Sequence, residues 1–446
     1  MIRMSVSSLI SYNTGTFPVP NFEGKAEEYF EGRTEGYSDG EQKSSWMSDM
    51  TTLYWFCPEN DLALAHGGAH FTPPRHALAL GREAAAIVWW LAGPGDAVLM
   101  PSEADESERQ IWHRWLQRMA DATGLPPESL PRLVTTAEEF ADTAIGNKGA
   151  DRSSPYPSIP QKAVRPWGWS LYTVEQLRKR GVSDTLLPTA GQIETLRSLS
   201  HRRITSAINR RLVAMVDFES MGSQRPEIPV EAATMAEAEE ALRLWDGRVF
   251  VKAPWSSSGR GVADSRDYSN PKSLRQRIVS TIHAQGSCMI EPAYDKAIDF
   301  AMLFEARGDG EVKAQGWSEF STVRQSVYTG NRLATDNEIV ADITRYVGPS
   351  LLQAVGSALE QILTEIIGGK YVGPLGIDMM ADTNRLVPCV ELNLRPTMGT
   401  VARRVRQMLG ADYRRMRVVN TKKEGCPATS LDLVPPVGDF RIIAVK

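Results

Sequence analysis

A lysine at the end of an apolar run, followed at once by serines and glycines, is the first pattern that could do chemistry. The run RVFVKAP (248–254) predicts a strand, and WSSSGRGV follows it directly. Gly259 and Gly261 permit backbone conformations that other residues resist, so successive N–H groups can point at one cluster of oxygens. Lys252 can place a positive charge on phosphate. Hydroxyl donors are available on Ser256, Ser257 and Ser258. The spacing is neither that of a Walker A loop nor that of a dinucleotide loop, and a surface hairpin fits it equally well.

Two acids and an amide farther along the chain form the second pattern. Asp378 lies in the apolar run GIDMM, whereas Glu391 and Asn393 alternate with apolar residues in VELNL. Alternation places Glu391 and Asn393 on one face of a strand, and a hairpin between the two runs lets Asp378 meet Glu391. Converging oxygens need a cation or hydrogen bonds, and Mg²⁺ prefers hard oxygen ligands. Arg395 falls on the same face and can hold developing negative charge. The alternative is a solvent-facing sheet surface with ordinary polar residues.

The predicted secondary structure that must position these residues differs between the N-terminal, middle and C-terminal parts of the chain. Residues 1–50 contain too few apolar side chains to offset the entropy cost of ordering the chain, so we expect them to be poorly ordered. From residue 51, strand and helix patterns alternate, which is typical of a parallel α/β sheet. The proline-rich segment 146–168 predicts a loop, because proline lacks an N–H donor. From residue 198, helices and runs typical of antiparallel strands follow, with a hairpin turn at 308–310. We therefore expect an α/β and α+β protein.

The composition is that of a soluble globular protein that binds small molecules. The chain is 42% hydrophobic with a formal net charge of −4. Lysine and arginine are spread along its length, which argues against a nucleic-acid partner. No apolar run approaches the roughly 18 residues that span a membrane, and the start does not look like a secretion signal. The four cysteines are far apart and are expected to be reduced thiols, so we expect a cytoplasmic protein.

Together these segments resemble the ATP-grasp superfamily, whose full motif order residues 198–410 cover. VFVKAPWSSSGRGV looks like its phosphate-binding strand and loop, CMIEPAYDKAIDF like its adenosine hinge, and GIDMM with VELNLRP like its two metal-binding strands. The resemblance implies a parallel, pre-ATP-grasp-like domain followed by a two-lobed ATP-grasp domain with antiparallel sheets. The implied boundaries are 1–50 for an extension, 51–195 for the front domain, 196–300 for the small lobe, 301–420 for the large lobe and 421–446 for a tail.

The resemblance also implies a role for each matching residue. Lys252 would contact the ATP phosphates, Glu291 would lie near the adenine amino group, and Asp299 would meet the ribose hydroxyls. The loop over the phosphates would comprise Ser257, Ser258, Gly259 and Gly261. One or two Mg²⁺ (or Mn²⁺) ions would be bound by Asp378, Glu391 and Asn393. Arg395 would steady an acyl phosphate.

Two further basic residues are weaker candidates. The family usually has a second phosphate-contacting lysine upstream, but here Arg202 and Arg203 stand in that region, and arginine is not interchangeable with lysine. We assign the contact to Arg203, with an exposed helix position as the alternative. Arg324, in the polar stretch 318–331, is a candidate carboxylate anchor with the same alternative.

The front domain contains one unusual stretch, CPENDLALAHGGAHFTPPRH. The residues at 59–61 fit a strand-end loop that faces the ATP site and binds an amine or carboxylate. They equally fit a turn in which Asn60 or Asp61 caps the next helix. His66, His70 and His76 raise zinc as an alternative, which Gly67 and Gly68 disfavour because they break the helical spacing.

The predicted function is an ADP-forming ligase that activates a carboxylate as an acyl phosphate for attack by an amine or a thiol. Its substrates would be a small carboxylate and an amine of amino-acid or peptide-like type. The alternatives are a small-molecule kinase on the same scaffold and a nucleotide-binding regulatory protein without turnover. The sequence leaves the substrate's identity and a homodimer open.

Overall fold

A parallel sheet comes first in the chain. The computed structural model describes residues 51–142, 162–256, 261–268, 270–323 and 327–446. Within them, β1 (Thr51–Trp55), β2 (Ala97–Leu99), β3 (Arg132–Val134) and β4 (Lys162–Pro166) pair in the order β3-β2-β1-β4, all parallel. The helices of this region are α1 (Asn60–His66), α2 (Arg75–Glu83), a 3₁₀ helix (Ala85–Leu91), α3 (Glu106–Thr123), α4 (Ala137–Asp142), α5 (Leu171–Lys179) and α6 (Ala190–Leu199). The predicted parallel α/β arrangement is confirmed.

Strand β4 corrects the prediction of a loop over 146–168 at residues 162–166, whereas 146–161 lie outside the described residues. It lies at the edge of the sheet and pairs with β1. Its proline, Pro166, is the last residue of the strand. A missing N–H donor is tolerated at the end of an edge strand, so the proline does not prevent pairing there.

A small antiparallel sheet follows. Its strands β5 (Val230–Ala232), β6 (Val249–Lys252), β7 (Val262–Asp264) and β8 (Cys288–Pro292) pair in the order β5-β8-β6-β7. One face packs on α8 (Met235–Leu244) and α9 (Pro271–Gln285) through buried Val249, Val251 and Ile290. Because side chains alternate along a strand, Lys252 belongs to the opposite face.

The third sheet has eight antiparallel strands in the described part of the chain. These are β9 (Ile298–Ala306), β10 (Val312–Val323), β11 (Val327–Arg332), β12 (Gly373–Ala381), β13 (Leu386–Asn393), β14 (Arg415–Asn420), β15 (Ser430–Asp432) and β16 (Phe440–Val445). Their order is β13-β12-β9-β10-β11-β14-β16-β15. The remaining helices are α7 (Arg203–Met215), α10 (Asp336–Ile343), α11 (Pro349–Ile367) and α12 (Met398–Leu409). The predicted combination of a parallel sheet with antiparallel sheets is confirmed.

The two faces of the eight-stranded sheet differ. Phe300, Met302 and Phe304 of β9 enter a buried core with α11. The opposite face, which carries the alternate residues of β9, meets α12, and α12 packs in turn on the core of the parallel sheet. This second face carries the residues of interest.

The last residues, which we predicted as a tail, complete this sheet. Strand β16 pairs with β14, and β15 pairs with β16. The indoles of Trp90 and Trp115 donate hydrogen bonds to the carbonyls of Leu433 (2.8 Å) and Asp432 (2.9 Å). The C-terminal strands are therefore bound to the front of the chain, while the predicted domain boundaries stay predictions. No helix in the described ranges is long and apolar enough to cross a membrane.

Candidate active site

The two acids meet on the β12–β13 hairpin. Asp378 is directly opposite Glu391, and Asn393 is opposite Gly376. The amide of Asn393 donates a hydrogen bond to Asp378 Oδ2 at 3.1 Å. Burial raises the pKa of the Asp378 carboxyl to about 7, and the neighbouring charge of Glu391 contributes to that rise. Asp378 and Glu391, here called the acid pair, thus form a site where a cation would be stabilised.

The acid pair with Asn393 offers two carboxylates and one amide oxygen. Among the residues that the structure describes, no group of three or more His, Cys, Asp or Glu side chains is arranged to hold a metal ion. Mg²⁺ typically takes one or two carboxylates and completes its octahedron with water and substrate phosphate oxygens. The donor set therefore fits Mg²⁺ bound together with a phosphate better than a closed metal site.

Arg202 is the neighbour to which sequence reasoning did not assign the phosphate contact. Its guanidinium is buried and donates to the carbonyl of Ala253 (3.0 Å), to Ser256 Oγ (2.9 Å) and to Glu391 Oε1 (2.6 Å). Its Nε is buried without a hydrogen-bond partner among the described residues. Arg202 thus connects the end of the β6 segment to the acid pair.

Arg203, the residue that we assigned from the sequence, lies differently. Its side chain is 56% exposed, and its Nη2 is 3.2 Å from Glu231 Oε1. It also contacts the ring of His201 at 2.9 Å. The adjacent basic residues in SHRRITS were the only sequence signal, and that signal could not separate the buried arginine from the exposed one.

Lys252 forms an ion pair with Glu291, and both side chains are largely buried. Glu291 is opposite Phe250 on β8, so it shares a face of the small sheet with Lys252. Burial raises the pKa of the Cys389 thiol, and the charges of Asp378, Lys252 and Glu291 also act on it. Lys252, Glu291 and Asp378 are therefore all close enough to Cys389 for their charges to act on it.

Asp299 lies on the same face of the large sheet as Asp378. It is opposite Met380, two residues beyond Asp378 on β12. Its carboxylate is 2.5 Å from Lys296 Nζ and accepts a hydrogen bond from Thr322 Oγ1 at 2.9 Å. The predicted ribose-binding acid is thus held in place by two neighbours.

Gly261 shows why glycine is needed in the serine–glycine segment. Its carbonyl accepts a hydrogen bond from Ala253 N at 2.8 Å. A Cβ at this position would lie 2.2 Å from the Cβ of Ser256, so no larger residue fits without a shift of the backbone. The other loop candidates and the predicted carboxylate anchor lie outside the described residues: Ser257, Ser258, Gly259 and Arg324.

Arg395 is held by a residue from the front of the chain. Its Nη2 is 2.9 Å from Asp61 Oδ2, although the two residues are 334 positions apart. Asp61 lies just beyond the carboxyl end of β1. The sequence predicted a ligand-binding loop at this position. The predicted capping turn is present only in part, because α1 begins at Asn60 but its start has no side-chain cap hydrogen bond.

A cleft is lined by some of these residues but not by Lys252, Glu291, Asp299 or Asp378. Its lining includes Asp61, Ser256, Glu391, Asn393 and Arg395. The histidine segment shows no comparable arrangement within the described residues: His66 Nδ1 accepts from the N–H of Gly68 at 3.2 Å, and its ring packs on Phe71. This cleft, here called the candidate cleft, therefore lies between α1, the segment that follows β6, and the β12–β13 hairpin.

Comparisons with known proteins give similarity at the level of structure. No protein-family model matches the sequence, and no curated protein matches it. N5-carboxyaminoimidazole synthetase from Staphylococcus aureus, complexed with ADP, is 10% identical with a TM-score of 0.44, covering 89% of this chain and 93% of that one. A biotin carboxylase–β,γ-ATP complex from Campylobacter jejuni is 11% identical with a TM-score of 0.46, covering 90% and 87%.

N5-carboxyaminoimidazole ribonucleotide synthetase from Thermus thermophilus is a third similar structure. It is 13% identical with a TM-score of 0.40, covering 75% of this chain and 91% of that one. Since one fold can host unrelated reactions, function must come from the residues of the site. Along most of its length, this chain is similar to solved structures of a synthetase and a carboxylase.

Proposed function

We propose that this chain is an ATP-dependent ligase of the ATP-grasp type. It activates a carboxylate as an acyl phosphate, which an amine or a thiol then attacks, with release of ADP and phosphate. The observation that carries the proposal is the bridge made by Arg202 between Ser256 and Glu391. That bridge joins the end of the β6 segment to Glu391 of the acid pair, and Ser256 and Glu391 both line the candidate cleft.

The nucleotide would bind between the two antiparallel sheets. Lys252 would contact its phosphates, Glu291 its adenine and Asp299 its ribose. The segment with Ser257, Ser258, Gly259 and Gly261 would cover the phosphates. Because Lys252 and Glu291 already neutralise one another, they present a polar site of low net charge. Arg203 is the weaker candidate for a phosphate contact, because its side chain is 56% exposed and paired with Glu231.

Asp378, Glu391 and Asn393 would hold Mg²⁺, which would supply positive charge to the transferring phosphoryl group. Arg202 would assist with its own fixed charge. Its guanidinium is held by bonds to Ala253, Ser256 and Glu391, so its charge has a fixed place beside the cleft residues Ser256 and Glu391. Fixed donors of this kind stabilise developing charge because they need no reorganisation during the reaction.

Arg395 would orient the substrate carboxylate. Asp61 accepts from its Nε and Nη2 and the carbonyl of Pro396 from its Nη1, so the N–H groups that remain would define where an anion can lie. Arg324 would contribute as a second carboxylate anchor. The reaction uses ATP and the described cysteines are free thiols, so we place the protein in the cytoplasm.

The test combines binding with product analysis. Mg-ATP should raise the melting temperature well above ATP with EDTA, because a ligand that binds only the native state stabilises it. ADP release should then depend on adding a carboxylate together with an amine or thiol from a metabolite panel. Mass spectrometry should find a condensed product and no stable phosphoester. Absence of stabilisation by millimolar Mg-ATP and Mg-ADP would contradict the proposal.

A further inference from the structure

A second cavity lies directly beside the candidate cleft. Its volume is about 170 Å³, and Trp169 and Leu394 line both spaces. An apolar cavity of about 150 Å³ is large enough to hold benzene. This second space, here called the aromatic cavity, therefore has room for one six-membered ring.

Aromatic side chains form much of its wall. Tyr54, Trp167, Trp169 and Tyr371 all line it. Burial raises the pKa of Tyr54 to about 12, so its phenol is neutral at physiological pH. The hydroxyl of Tyr371 already donates to the carbonyl of Pro374 at 2.7 Å. Such walls favour a flat apolar body, which can pack edge-to-face or offset against the rings.

A few polar groups are placed among these rings. Glu305, Arg165 and Arg404 line the cavity, and burial raises the pKa of Glu305 to about 7 although the charge of Arg165 opposes that rise. Arg404 Nη1 donates to Gln407 at 3.1 Å, and a guanidinium has five N–H donors in total. Mostly apolar walls with a few placed polar groups are typical of a small-molecule site.

The tripeptide 394–396 connects the cavity to the proposed chemistry. Leu394 lines both spaces, Arg395 lines only the candidate cleft, and Pro396 lines only the aromatic cavity. A ring in the cavity and a carboxylate beside Arg395 would therefore lie on two sides of the same three residues. The linker of such a substrate would pass beside Leu394 and Trp169, which line both spaces.

We propose that the carboxylate substrate carries a ring, which the aromatic cavity binds while the carboxylate lies beside Arg395. The substrate class is thus a ring-bearing acid with a short linker, such as an arylacetic acid or an aromatic amino acid. This inference rests on the proposed ligase function for its chemistry, but the binding of the ring does not.

Calorimetric titration of the full chain tests the binding, with phenylacetate, 4-hydroxyphenylacetate, L-phenylalanine and acetate as ligands, each with and without Mg-ATP. At least one ring-bearing acid should bind tenfold or more tightly than acetate. Val372→Trp should weaken that binding at least tenfold, because residue 372 lines the cavity and is 49% exposed, so a larger side chain there obstructs the rim. Leu244→Trp, at a 62% exposed position outside the cavity lining, should change it less than twofold.

A second variant guards against an uninformative result. Leu91→Trp fills the cavity from the 3₁₀ helix and should also abolish ring-dependent binding, while stabilisation by Mg-ATP persists. If no ring-bearing acid binds more tightly than acetate, or if neither cavity variant weakens binding, the inference is overturned.

ADP release separates this inference from the proposed function. Ring-dependent binding that Val372→Trp removes, without ADP release for any acid, would support the cavity and reject the ligase. ADP release with acids that lack a ring, equal in the wild type and in Val372→Trp, would support the ligase and reject the cavity as its substrate site.

Discussion

The small sheet and the β12–β13 hairpin differ in how their buried charged side chains are paired. On the small sheet, Lys252 is matched by a single acid, Glu291, in a buried ion pair. On the hairpin, Arg202 donates to Glu391, and the pKa of the neighbouring Asp378 is raised to about 7 by burial first and by Glu391 second, against the opposing charge of Arg395. One region thus pairs its charges one to one, whereas the other places two acids side by side. This difference is the reason for expecting a cation at the hairpin.

Lys252→Met should give the largest change in stability. It leaves the buried Glu291 without its partner, and breaking a buried pair costs about 3–5 kcal/mol. Urea unfolding should show a lower midpoint, and the double variant Lys252→Met/Glu291→Gln should recover much of the loss. ATP binding should weaken in both variants. Equal stability of the wild type and Lys252→Met would mean that the ion pair contributes nothing.

Glu391→Gln tests the β12–β13 hairpin with its acid pair. Phosphoryl transfer should fall by roughly 10²–10³, because loss of a fixed charge stabiliser costs about 3–4 kcal/mol. The fold should persist, since Glu391 is only partly buried. Glu424→Gln, at a 46% exposed ion pair with Arg417, is the matched control and should keep full turnover. Full turnover by Glu391→Gln would remove the acid pair from the mechanism.

Arg202→Gln and Arg203→Gln form a comparison between adjacent residues. Loss of Arg202 should slow turnover by roughly 10-fold to 150-fold, because a hydrogen bond to a charged group contributes about 1.5–3 kcal/mol. Loss of the exposed Arg203 should change it by less than about threefold, as for most surface pairs. Steady-state kinetics with Mg-ATP decides the order. The reverse order would favour the assignment of Arg203 made from the sequence.

His201 should make the protein sensitive to mild acid. Burial, and then the charge of Arg203, lower its pKa to about 4 from an ordinary value of 6.5. The unfolded chain therefore binds the proton more readily, and stability that is present above pH 6.5 is lost as the pH falls towards 4. Chemical unfolding at pH 7 and pH 5 should differ by about 1–2 kcal/mol from this residue. His201→Gln should reduce that difference, whereas His113→Gln, at an exposed position, should leave it unchanged.

Local patterns were sufficient for the parts of the site that neighbouring residues build. Alternation and a short turn predicted the hairpin that places Asp378 opposite Glu391. A compact apolar run predicted the strand that ends in Lys252. Both depend on side-chain period and turn chemistry, which operate over a few residues. The same local reasoning failed at β4, because whether a strand with a proline lies at an edge is decided by the rest of the sheet.

The sequence by itself determined which side chains could carry charge and which strand face each would occupy. Only the tertiary structure decided which of them meet. Arg202 rather than Arg203 reaches Glu391 across 189 positions, and Asp61 reaches Arg395 across 334. The aromatic cavity likewise draws its walls from β1, β4, β9, β12 and α12. Such contacts follow from how sheets and helices pack, and packing is set by the shapes of whole cores rather than by the order of residues along one strand.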